Sequence, residues 1–347
     1  MIKQSFFRVA RSRAFSTLVR LLEKLEHQHN MLRVLTYHRV DYPDARPDLD
    51  PNLISATPET FARQMEHLAE HYVVMTIDQV VQAVRDKSTL PPRSVLVTFD
   101  DAYYDFAEHA WPTLKRLGLP AVMFVPTAFP GQARQFWWDT VYEALHKCKV
   151  DRDLGKCGIE VLRNESRAQT YRRIVCELKL LPHDEVLARV AELSRQCELS
   201  PIVSPVMAWG ELKNLAGQGL ALGAHTQTHP LLNRVPLESA VEEAIGSLQE
   251  LQSHVGDVAP VFAYPGGAFS DEVVQHLRDH FELAFTTCRG INDMGRADAL
   301  RLRRINVSHH TPDSLVRAQM LAGVRHFNHR WPLDSSNSCP NPGSCCC

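Results

Sequence analysis

The apolar run Ser94–Phe99 (SVLVTF) leads straight into Asp100-Asp101, the one Asp-Asp pair in the chain. Two carboxylates at a strand end repel each other, at a cost that a bound cation or a proton relieves. Helix capping by either acid is the competing reading. A second feature is His225-Thr-Gln-Thr-His229, which follows the run LALGA. Histidines four apart fall on one helical face and can share a metal ion. The spacing alone decides little: 17 histidines in 347 residues give about one such pair by chance. Three pairs exist, His67/His71, His225/His229 and His276/His280. The first and last sit in amphipathic helical patterns (FARQMEHLAEHY, DEVVQHLRDHF), where a solvated histidine is the default. Only His225/His229 directly follows a buried-type strand, as Asp100-Asp101 does. An Asp with two His offers three N/O ligands and leaves a coordination position for water. The other carboxylate would then be free to act as general base.

A third cluster, Phe262-Ala-Tyr-Pro-Gly-Gly267, also closes a strand-like run. Its glycines allow backbone to approach a ligand and present amides to an oxyanion, or they make a plain turn. His38 follows the run RVLTY, again at a predicted strand mouth. Tyr264, Trp137 and Trp138 are candidates for stacking on a planar or ring-shaped ligand, or for simple packing.

The elements that must position these residues alternate. Short β-rich runs at Arg33–Tyr37, Tyr72–Met75, Ser94–Phe99, Ala121–Val125, Leu220–Ala224, Val261–Tyr264, Leu283–Thr287 and Leu302–Val307 are separated by helical patterns. Alternation of this kind predicts a parallel sheet, open or closed into a barrel, with its chemistry at the C-terminal strand ends. Residues 139–205 break the rhythm with two or three charged helices. They are expected to be an inserted helical subdomain, either a lid or a surface elaboration.

These clusters together resemble the polysaccharide deacetylase (NodB-homology, carbohydrate esterase 4) family. VLVTFDD followed by PAVMFVP is similar to its first motif and next strand, and GLALGAHTQTHP to its H-(S/T)-x-x-H motif. YHRV, the FWWD at Phe136–Asp139 and FAYPGG resemble a bacterial branch. The resemblance covers about residues 31–325, apart from the insertion. It implies an α/β fold, a distorted (β/α)7-type barrel, and a metal-dependent hydrolase that removes N-acetyl groups from an amino-sugar polysaccharide or oligosaccharide. It assigns Asp100 as catalytic base and Asp101, His225 and His229 as ligands of one divalent ion, with Zn2+ expected. His38, Tyr264, Pro265 and Gly266 are expected to contact substrate. The alternatives are a deformylase or O-acetyl esterase acting on a lipid-linked sugar, or a catalytically impaired carbohydrate-binding barrel. Two departures stand out. The family's third motif usually carries an Arg that braces the base, and Ala263 occupies that place. The final-strand histidine that acts as general acid is matched only loosely by His309, so the proton donor is left among His309, His38 and a metal-bound water.

Composition bounds the rest. With 44% apolar residues, 22% charged residues and a formal net charge of −2, the bulk has material for a core. It lacks the basic excess of a nucleic-acid binder. Residues 1–30 carry Lys3, Arg8, Arg11, Arg13 and Arg20 before the first acid, Glu23. Phe7, Ala10, Ala14, Leu18 and Leu21 recur at helical spacing, predicting an amphipathic helix. It is expected to pack on its own domain; the alternative is peripheral contact with an anionic membrane. The nine cysteines show no CxxC pair and no expected disulfide framework, which suits a reducing cytoplasm. The tail, residues 326–347, is expected to be disordered.

Overall fold

The computed structural model describes residues 8–147, 165–199 and 204–322. Seven runs rich in β-branched and aromatic residues become strands, as their composition favours. They are β1 (Met31–Tyr37), β2 (Ser94–Asp100), β3 (Val122–Val125), β4 (Ala221–Ala224), β5 (Val261–Ala263), β6 (Leu283–Arg289) and β7 (Leu302–Asn306). Their neighbours run β1-β7-β6-β5-β4-β3-β2, and β2 pairs back onto β1 in parallel, Leu35 opposite Val97. All seven ladders are parallel, so the sheet closes into the seven-stranded barrel that the resemblance implied. A register shift between Leu302 and Arg304 on β7 distorts the ring. Val73–Val74 extends the sheet beyond β2, and Asn292–Asp293 pairs antiparallel with the start of β1.

Both faces of the strands are covered, which explains their continuous apolar runs. Tyr37, Phe61 and Phe99 pack together on one side, Leu96, Phe124 and Phe285 on the other. The helices used below are α1 (Arg13–Lys24), α2 (Pro58–His71), α3 (Trp137–Lys147), α4 (Arg167–Leu178), α5 (His183–Gln196), α6 (Leu237–Val255) and α7 (Asp313–Gln319). Thr57 caps α2 through the Thr60 amide, with Pro58 in the first turn, as that dipeptide predicts. Helices α3, α4 and α5 make up the described part of the insertion and share a core of their own, built around Val141, Tyr171, Ile174, Leu178 and Leu193.

Helix α1 does lie on its domain, but of the predicted stripe only Ala10, just ahead of the helix, is buried, and Phe7 lies outside the described residues. Val19 and Glu23 are its buried residues, whereas Leu18 and Leu21 stand in solvent. The reason is polar. Glu23 accepts from Arg317 on α7 and from the Tyr72 hydroxyl, and its carboxylate lies 3.1 Å from His67 Nε2. Burial raises the Glu23 pKa, but His67 and Arg317 outweigh it and bring it to about 2. A charged side chain turned inward by these partners rotates the leucines outward.

Cys197 and Cys288 are each disulfide-bonded. The expectation of isolated thiols therefore fails at these two positions. The tail lies outside the described residues, as do Cys148 and Cys157.

Candidate active site

Strand β2 ends at Asp100, and the chain turns there through two left-handed residues, Asp101 (φ 73°) and Ala102 (φ 55°). The loop after β4 does likewise at Thr226 (φ 63°) and His229 (φ 62°). Such conformations are costly for residues with a Cβ and are kept where the surroundings over-determine them, commonly at functional sites. Here they aim Asp101, His225 and His229 at one point. Asp101 Oδ1 lies 3.5 Å from His225 Nε2 and 3.3 Å from His229 Nε2. Among the described residues this is the one group of three His, Cys, Asp or Glu side chains placed to hold a metal ion together. All three are buried, and Asp101 Oδ1 has no hydrogen-bond partner. A buried carboxylate oxygen left without a donor is costly unless a cation meets it.

The surroundings suit a cation site. His225 Nδ1 is 2.6 Å from the Ala263 carbonyl, a contact that places the proton on Nδ1 and turns the Nε2 lone pair inward. Burial alone would raise the Asp101 pKa, but the neighbouring His225, His229 and His38 hold it well below the carboxylate range. These neighbours favour the carboxylate form, which is the form a metal ligand must take. The other two histidine pairs offer nothing similar: His67 is engaged with Glu23, and His276 Nδ1 contacts its own helix at the Glu272 carbonyl.

Glu243 on α6 fixes the histidine loop from behind. Its carboxylate accepts the amides of Gln227 and Thr228, both at 2.8 Å, and the Thr228 hydroxyl. Sequence reasoning missed it, because only the folded loop brings those amides to α6. Glu243→Ala is expected to weaken metal affinity by about 10–100-fold, the usual range for a lost outer-shell partner, with the fold intact. Metal titration followed by thermal melting would check both statements.

Asp100 points the other way, into a bidentate pair. Arg304 Nη1 and Nη2 donate to Asp100 Oδ1 and Oδ2, each at 2.8 Å, and Arg304 Nε donates to the Thr286 carbonyl. Both side chains are buried. Burial raises the Asp100 pKa, but Arg304, His225 and His38 together bring it below its ordinary value. The brace expected at position 263 is thus supplied from β7, the strand that neighbours β1 on the side away from β2. Its sequence signal was an arginine in an interior strand (RLRRIN).

The remaining expected contacts divide. His38 and Gly266 line a cleft of about 450 Å³ above the carboxylates, within the usual size of ligand pockets. Tyr264 is fully buried, and its hydroxyl donates to the Leu300 carbonyl. It belongs to the core and cannot stack on a ligand, which corrects the sequence expectation. Pro265 is likewise buried and does not line the cleft. Gly267 closes the turn because a Cβ there would come 2.1 Å from Thr287 Oγ1. His309 turns away, its Nδ1 2.7 Å from the Ile54 carbonyl, and its neighbour His310 lines the cleft instead.

The insertion forms one wall. Trp137 and Trp138 line the cleft, and the Trp138 ring packs on His229 with centroids 4.8 Å apart. Trp138 Nε1 donates to the Tyr103 hydroxyl, which donates to Asp139. Burial pushes the Asp139 carboxyl up to about 8. The FWWD segment therefore anchors its tryptophans through a buried acid. His183, at the start of α5, also lines the cleft, with its Nε2 buried and unpartnered.

A family model described as polysaccharide deacetylase matches residues 87–281, more than half of the chain. The chain belongs to the polysaccharide deacetylase family. Among curated proteins it is similar to a poly-beta-1,6-N-acetyl-D-glucosamine N-deacetylase of Staphylococcus epidermidis, 30% identical over 114 residues, 30% of this chain and 39% of that one. An Escherichia coli K12 protein of the same name is 30% identical over 103 residues, 29% of this chain and 15% of that one. The chain thus matches well under half the length of these relatives. Among solved structures, the Streptococcus pyogenes deacetylase PplD in complex with acetate shares the fold with a TM-score of 0.56 at 19% identity, over 84% of this chain and 98% of that one. IcaB from Ammonifex degensii gives 0.54 at 21%, over 84% and 97%. The barrel fold of these deacetylases is therefore that of this chain.

Proposed function

We propose that this protein is a metal-dependent N-deacetylase of an acetylated amino-sugar glycan of the poly-N-acetylglucosamine kind. The observation that carries this reading is the convergence, at one barrel mouth, of an arginine-braced Asp100 with the Asp101–His225–His229 group. The N/O donor set suits zinc. A divalent ion held there would polarise the acyl carbonyl and make water a nucleophile at neutral pH.

The chain's own groups supply the rest. Asp100, anionic and fixed by Arg304, accepts the proton of the attacking water. Breaking the C–N bond requires a proton on the amine, and His38 is the donor favoured by position. It lines the cleft and lies close enough to both carboxylates to lower their pKa values. The amides of Tyr264, Gly267 and Ala268 are taken by the carbonyls of Phe285, Tyr264 and Pro265. An amide contribution to the oxyanion therefore falls on Gly266. Trp137 and Trp138 offer aromatic faces for a sugar ring. A catalytically impaired barrel was suggested by the missing third-motif arginine and the unassigned acid, and the Arg304–Asp100 pair answers the first of these.

The test is acetate release from β-1,6-linked N-acetylglucosamine oligomers, with and without chelator. The reading requires release that chelation stops and added divalent metal restores. Release of formate or O-linked acetate from other acylated sugars, with none from these oligomers, would replace it.

A further inference from the structure

Five of the ten large apolar side chains exposed among the described residues lie between positions 9 and 25. Four of them, Leu18, Leu21, Leu22 and Leu25, fall at the i, i+3, i+4, i+7 spacing of one helical face and expose 37–72% of their surface. Helix α1 already has its domain contact, made by Val19 and Glu23 on another side. The leucine face is therefore a second apolar face, with nothing described covering it. Its charges are of one sign. Arg8, Arg11, Arg13, Arg20 and Lys24 are all exposed, and none forms an ion pair with a described residue. The one acid of the helix, Glu23, is turned inward to Arg317. Arg13, Arg20 and Lys24 follow one flank of the leucines.

An apolar stripe bordered by unpaired cations is the pattern of a helix lying in the interfacial plane of an anionic bilayer. A partner protein would more commonly bring carboxylates to some of those cations, and a second copy of this chain would bring more cations. The helix is also held in place for such contact. The carbonyls of Lys24 and Glu26 accept from Arg93, and the Ala10 carbonyl accepts from Ser314, near the segment whose Ser308 and His310 line the cleft. No described helix is long and apolar enough to cross a membrane. We infer that the Leu18–Leu21–Leu22–Leu25 face of α1, with its flanking arginines, docks the enzyme on an anionic membrane surface.

The test is co-sedimentation of the full chain with vesicles of phosphatidylcholine alone and with vesicles that also contain phosphatidylglycerol, at low and high salt. Binding to the anionic vesicles, weakened by salt, is expected. The double variant Leu18→Glu/Leu25→Glu should bind about tenfold or more weakly, and Arg13→Gln/Arg20→Gln should lose the salt-sensitive part. The altered side chains are exposed, so circular dichroism and release of acetate from soluble oligomers should not change. Equal binding of both vesicle types, or undiminished binding by the leucine variant, would overturn the inference. So would failure of the wild type to bind, or a wild-type dimer that the leucine variant converts to monomer. None of these outcomes depends on whether the barrel deacetylates sugars.

Discussion

Asp100→Asn is expected to lower kcat for acetate release by about 10²–10⁴-fold, the span a positioned general base contributes, with metal content unchanged. The amide keeps the shape of the side chain but cannot take a proton from water. It also leaves Asp101, His225 and His229 in place, since Asp100 is held by Arg304 and not by that group. Metal analysis and rate measurement on the same preparation separate the two carboxylates. Parallel loss of metal and rate would mean that Asp100 is itself a ligand.

Arg304→Lys should cut kcat/KM by about tenfold or more, because lysine cannot reproduce the planar two-point contact with a carboxylate. The sign of its pH effect follows from the pair. Arg304 opposes the burial that raises the Asp100 pKa, so weakening the contact lets that pKa rise. Asp100 must be deprotonated to act, and the acid limb of the kcat/KM profile should therefore move to higher pH. An unshifted limb with unaltered kcat/KM would show that the pair is structural only. Arg304→Ala is a harsher change. It leaves a buried carboxylate unpaired, a defect of about 3–5 kcal/mol, and a lower Tm should accompany its loss of rate.

The elements that can be read from one sequence are those whose chemistry abuts an apolar run. SVLVTF before Asp100 and LALGA before His225 mark two strand mouths, and neighbouring strands of one barrel bring their ends together. Arg304 lies 204 residues from Asp100 in sequence, and the closure of β7 onto β1 and β1 onto β2 is what unites them. Nothing local announces that. Tyr264 illustrates the opposite error. A tyrosine at a strand end beside Pro-Gly suggests a ligand platform, yet its ring fills the core and its hydroxyl is spent on a carbonyl. Helix α1 shows a third limit. Its periodicity was legible, but which face is buried was decided by one glutamate and partners on α2, α7 and Tyr72.

The whole account stands on four side chains acting around one cation, and metal stoichiometry tests it most directly. Wild-type protein loaded with zinc and freed of excess should retain one ion per chain and release acetate. Asp101→Ala, His225→Ala and His229→Ala should each lose both properties, while His67→Ala and His276→Ala keep both. Metal retained by the first three variants, or lost equally from all five, would contradict the assignment of the site.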